Sequence, residues 1–90
     1  MQIDVKTLSQ SESESMNITE WPVWEKAPCT FEWFYDTQEI CLIISGEAQI
    51  SAPEHGITVT IKAGDFVVFP KGLACRWTIL KTIKKYYNFA

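Results

Sequence analysis

No apolar run in this chain approaches the length of a membrane span; the longest, around Ile40 to Ile44, is strand-sized and closed off by Glu39 and Ser45. The N-terminus has no basic region followed by an apolar segment, so no secretory signal is read there and a cytoplasmic protein is expected. Without an export signal, the Asn17-Ile18-Thr19 sequon is read as a chance match. Helical periodicity is missing apart from a turn or two between Leu8 and Met16, and there is no internal repeat. Histidine is almost absent, the single one being His55 in a loop-like stretch. The three cysteines, Cys29, Cys41 and Cys75, are an odd count beside apolar runs, which points to buried free thiols in a reducing compartment. A net charge of −3 argues against general nucleic-acid binding.

What is present is enough apolar matter for one core. At 90 residues, 47% apolar and 13% aromatic, the chain makes a single domain that needs neither metal nor disulfide to order it. Residues 1–17 are read as an N-terminal strand around Ile3 and Val5 followed by a polar segment, and 18–90 as one barrel domain. The Ser9–Ser15 run of Ser, Gln and Glu has too little apolar content to pack, and reads as a solvated turn, a frayed helix or disorder. The last twenty residues carry Lys71, Arg76, Lys81, Lys84 and Lys85 and no acid, which reads as a solvated basic edge.

From Phe31 onward the period is two. Phe31, Trp33 and Tyr35 alternate with Glu32 and Phe34; Glu39 to Ser45 follows as a strand; Gly46 reads as a turn, with Glu47 to Ser51 as the hairpin partner. Ile57, Val59 and Ile61 alternate with Thr58, Thr60 and Lys62. Phe66 to Phe69 reads as a buried strand, and Pro70-Lys71-Gly72 as a tight turn delivering Cys75 to the start of another. Arg76 to Leu80 and Ile83 to Phe89 close the chain, and Trp21-Pro22-Val23-Trp24 reads as an edge segment that covers either a dimer surface or the barrel mouth. Seven or eight short strands with close turns predict an all-β sandwich or barrel.

Two spacings narrow this. Glu39 and, after six residues, Gly46 match the end of one motif; Gly64, Pro70, Gly72 and Cys75 match a second. Together they resemble the cupin superfamily over Trp21 to Phe89. The Trp-Pro-Val-Trp-Glu, Phe-Pro-Lys-Gly-Leu and Cys-Arg-Trp segments are similar to small single-domain cupins related to ureidoglycine aminohydrolase. The resemblance implies a jelly-roll barrel, a double-stranded β-helix, and a homodimer. It also implies four metal-ligand positions, which fall on Trp33, Tyr35, Glu39 and Cys75.

Of these, Glu39 alone keeps the ligand type the resemblance implies. An indole has only an N–H to offer, and a phenol would have to give up a proton near pH ~10. No metal is therefore expected, with a divalent cation kept as the alternative. The resemblance implies that Glu39 faces the barrel lumen; strand alternation then turns Cys41 inward with it, and likewise Cys75 and Trp77 together. The expected ligand pocket is Trp33, Tyr35, Glu39, Cys41, Cys75 and Trp77. Glu39 is read either as a general acid or base raised by burial, or as a carboxyl satisfied by Tyr35, Trp33 or a backbone N–H. Cys75 is either a nucleophile or a small buried hydrophobe, since alternation turns Arg76 away from it. Three functions are carried forward: a metal-free module binding a small polar metabolite, a metal-dependent hydrolase resembling ureidoglycine aminohydrolase, and a structural or regulatory dimer. Neither nucleic acid nor membrane is an expected partner.

Overall fold

The computed structural model describes residues 1–90, and its seven strands form one antiparallel sheet curled into a barrel. They are β1 (Asp4–Thr7), β2 (Val23–Lys26), β3 (Thr30–Phe34), β4 (Glu39–Ala52), β5 (Ile57–Lys62), β6 (Asp65–Phe69) and β7 (Ala74–Phe89). No helix is long and apolar enough to cross a membrane. The Ser/Glu run forms the short helix α1 (Gln10–Ser15), started by a capping box in which Ser9 and Glu12 satisfy each other's backbone N–H. The preceding β1 pairs with β6, so the N-terminal residues join the same sheet.

Two long strands organise everything else. β4 and β7 pair with each other along their length; the first half of β4 also pairs with β6, and its second half with β5. Strand β7 carries β3 on its first half and β2 on its second. The expected hairpin at Gly46 is corrected: Glu39–Ala52 is one continuous strand, and so is Ala74–Phe89. Gly46 lies instead where the β4–β7 register shifts, between Ile43 and Ala48. It sits at a φ of +95°, and a Cβ there would collide with the Thr82 carbonyl oxygen. This bulge is a barrel corner, where a sharp bend and close backbone approach both require glycine. A glycine flanked by two strand-length apolar runs has the same sequence signature whether it turns the chain or bends it.

The core is a single cluster that includes Ile43, Ile50, Ile61, Val67, Phe69, Leu73, Trp77 and Ile83, contributed by the inward faces of β4 to β7 and their turns. The Pro70-Lys71-Gly72 turn does more than reverse the chain. With Gly72 at a φ of +89°, its N–H donates to the Tyr35 carbonyl at 2.7 Å, and the Tyr35 N–H donates to the Leu73 carbonyl at 2.9 Å. The turn thus clamps the backbone of Tyr35, which lies just past the end of β3, and fixes where its side chain enters the barrel.

Candidate functional site

One end of the barrel holds a cavity of about 230 Å³ lined by Trp24, Phe31, Trp33, Tyr35, Glu39, Trp77, Lys85, Tyr87 and Phe89. Each wall follows from strand register. Trp77 on β7 stands opposite Phe31 on β3, and their rings stack at 5.9 Å between centroids. Trp24 on β2 stands opposite Lys85 on β7 and meets the Trp77 ring edge-on at 5.9 Å. Glu39, the first residue of β4, stands opposite Phe69, whose ring stacks on Tyr35 at 4.7 Å.

The polar floor is an ion pair. Lys85 lies opposite Ile43 on β4 and reaches along the barrel interior, so that its Nζ donates to Glu39 Oε2 at 2.6 Å. Both side chains are nearly closed to solvent, at 7% and 8% exposure. The ammonium also lies 4.9 Å from the ring centroids of both Trp24 and Trp77 and 5.8 Å from Phe69. Taking two charges out of water costs several kcal/mol per ion, and here a short charge-assisted hydrogen bond and aromatic faces offset that cost. Beside the pair, Tyr35 Oη accepts the Trp77 indole N–H at 3.2 Å, while no protein acceptor takes the phenol's own proton. Burial, and then the Glu39 charge, push the Tyr35 phenol far above its ordinary range, so it remains a neutral donor.

Of the residues expected in the pocket, Trp33, Tyr35, Glu39 and Trp77 line this cavity. Trp33 does so from the rim, with half its surface exposed. Cys41 and Cys75 are corrected: both belong to the core cluster, where their short side chains end among apolar neighbours while longer ones reach the cavity. Cys75 borders a separate shallow cleft with Glu32, Trp33, Phe34 and Ala74. Burial pushes the Cys41 thiol up to about 12 and the Cys75 thiol up to about 11, which keeps them protonated and poor nucleophiles. Cys29 is corrected as well, being exposed rather than buried. His55 lies exposed on the short turn Pro53–His55.

Lys85, which in the sequence belongs to a basic stretch expected to be a solvated edge, is buried at the floor of the cavity. Where one of the two readings of Glu39 expects a partner in Tyr35, Trp33 or a backbone N–H, the structure gives it an ammonium. A signal was available: Ile83, Lys85 and Tyr87 alternate onto one face of β7, and that face is inward. Of the two places offered for Trp24, the structure puts it at the cavity, over Lys85.

The four positions at which the resemblance implies metal ligands do not fit a divalent cation in this chain. Trp33 has no lone pair to give, the Tyr35 phenol holds its proton, Cys75 lines a different cleft, and Glu39 already faces a cation. No three of the chain's His, Cys, Asp and Glu side chains converge as a metal would need.

Seven antiparallel strands closed around such a cavity define a cupin barrel. The chain belongs to the EutQ-like cupin domain family, whose model matches residues 13–87. Over 99% of its length it is similar to a DUF861 family protein of Thermotoga maritima, at 36% identity and a TM-score of 0.95, covering 100% of that protein. It is 21% identical to the EutQ protein of Clostridium difficile, with a TM-score of 0.67 over 97% of this chain and 66% of that one. A cupin superfamily protein of Desulfitobacterium hafniense is 18% identical, with a TM-score of 0.62 over 96% and 74%. The last two likenesses speak to the fold alone. Among curated proteins, none matches the chain.

Proposed function

We propose that this cupin is a metal-independent binding module for one small molecule with an apolar body and a polar edge. The observation that carries the reading is the buried Glu39–Lys85 pair opening onto an aromatic cavity. Apolar walls with a few placed polar groups are the usual form of a small-molecule site. The volume sets the scale: about 150 Å³ accommodates benzene, so about 230 Å³ suits a single substituted ring. A metal-dependent hydrolase of the ureidoglycine aminohydrolase type would need Glu39 free to ligate, and Lys85 already holds it, which favours the binding reading.

Trp24, Trp33 and Trp77 line the cavity, so occupancy reads out in tryptophan emission. Chelator-treated protein titrated with a panel of small ring-bearing metabolites is expected to give a saturable emission change with at least one of them, and Lys85→Met is expected to abolish it. A response that appears only after a divalent metal is added would contradict the reading.

A further inference from the structure

The polar floor carries unused hydrogen-bonding capacity of both kinds. Glu39 Oε2 takes the Lys85 ammonium, while Oε1 has no protein partner. No side-chain nitrogen or oxygen sealed from solvent lacks a partner, so Oε1 opens on the cavity that Glu39 lines. It is an acceptor awaiting a donor. Tyr35 supplies the opposite: its oxygen accepts from Trp77 and its own proton is free. The Lys85 ammonium has three protons and gives one to Glu39. Acceptor and donors therefore sit together on a floor whose two charges cancel.

Net charge then decides among ligand types. A carboxylate would place its charge against Glu39, and an amine would place its charge against Lys85. A zwitterion would carry two charges between aromatic walls, at a desolvation cost that the existing pair already sets. A neutral group with an acceptor and a donor on adjacent atoms satisfies the floor without splitting the pair. Resting on the binding reading above, we infer that the cavity recognises the cis-amide edge of a planar lactam or cyclic imide. The carbonyl accepts from Tyr35 Oη and Lys85 Nζ, the ring N–H donates to Glu39 Oε1, and the ring body lies against the aromatic wall that Trp24, Phe31 and Trp77 form.

The test is calorimetric titration of the full chain, in chelator, with 2-pyridone, 2-pyrone and toluene. The first two have the same planar shape and differ in one ring atom, N–H against O, so 2-pyrone turns a lone pair toward the Glu39 carboxylate. 2-Pyridone is expected to bind about tenfold or more tightly than 2-pyrone, the loss for a buried acceptor left without its donor. Tyr35→Phe is expected to weaken both ligands and leave most of their ratio intact. Equal affinity for 2-pyridone and 2-pyrone, or toluene binding as well as either, overturns the amide-edge inference while the apolar binding cavity stands. No binding of any of the three overturns both.

Discussion

Two carboxylate–cation pairs join strands in this barrel, and their geometry is nearly the same. Lys85 Nζ lies 2.6 Å from Glu39, and an Arg76 nitrogen lies 2.8 Å from Glu32. Their surroundings are opposite. Arg76 and Glu32 face each other across β7 and β3 with 60% and 69% of their side chains exposed, whereas Lys85 and Glu39 are nearly closed to solvent at 7% and 8%, with three aromatic rings around the ammonium. In water the attraction of two unit charges is weak and salt-screened; in the interior it is strong but set against desolvation. Distance alone therefore says little about what a pair does. The exposed one is a surface feature, and the buried one is worth its desolvation only where uncompensated charge, or a ligand, would otherwise occupy the space.

The sharpest break in this comparison comes from removing one buried partner. Lys85→Met leaves a buried Glu39 without its cation, and is expected to lower unfolding free energy by about 3–5 kcal/mol in urea titrations. Replacing both, Glu39→Met with Lys85→Met, is expected to recover most of that loss, because apolar side chains of similar volume often match a buried pair. Ligand-dependent emission should not recover. Stability of the double variant as low as that of the single would show that the two charges do not act as a unit.

A second contrast, between buried and open thiols, predicts an effect that is confined to alkaline pH and has a defined sign. Cys41 and Cys75 have folded-state values raised above the ordinary thiol value of 9.0, to about 12 and about 11. Above pH 9 the unfolded chain loses thiol protons that the folded chain keeps, so stability falls as pH rises. The urea midpoint should be insensitive to these thiols below pH 9 and decline between pH 9 and 12. Cys41→Ala should flatten that decline. In the native protein a thiol-specific reagent at pH 8 should label Cys29 fast and the other two only on unfolding.

The smallest effect belongs to the exposed pair. Arg76→Ala is expected to cost less than about 1 kcal/mol and to cost still less at high salt. A loss comparable to that of Lys85→Met would erase the distinction on which the comparison rests.

How much of this was legible in the sequence depended on whether a residue's type agreed with its position. The positions that the resemblance implies, Trp33, Tyr35 and Glu39, and Trp77, which alternation adds to them, are four residues of the cavity. The Gly64–Cys75 spacing located the turn that clamps Tyr35. Lys85 broke the agreement. It follows Lys84 in a stretch without acids, and side-chain type outweighed the period of two that places it between Ile83 and Tyr87. The thiols differ in another way: both face inward, as alternation predicts, but a short side chain on an inner face reaches the core and not the cavity. Gly46 shows a third limit, since a bulge that bends two long paired strands leaves the same local sequence as a hairpin.

The proposal of a metal-independent site turns on the side-chain ammonium that stands against Glu39. Calorimetric titration of manganese or zinc into chelator-stripped wild-type protein tests it directly. The account predicts no saturable one-to-one heat, whereas one-to-one binding that Glu39→Gln abolishes would contradict it.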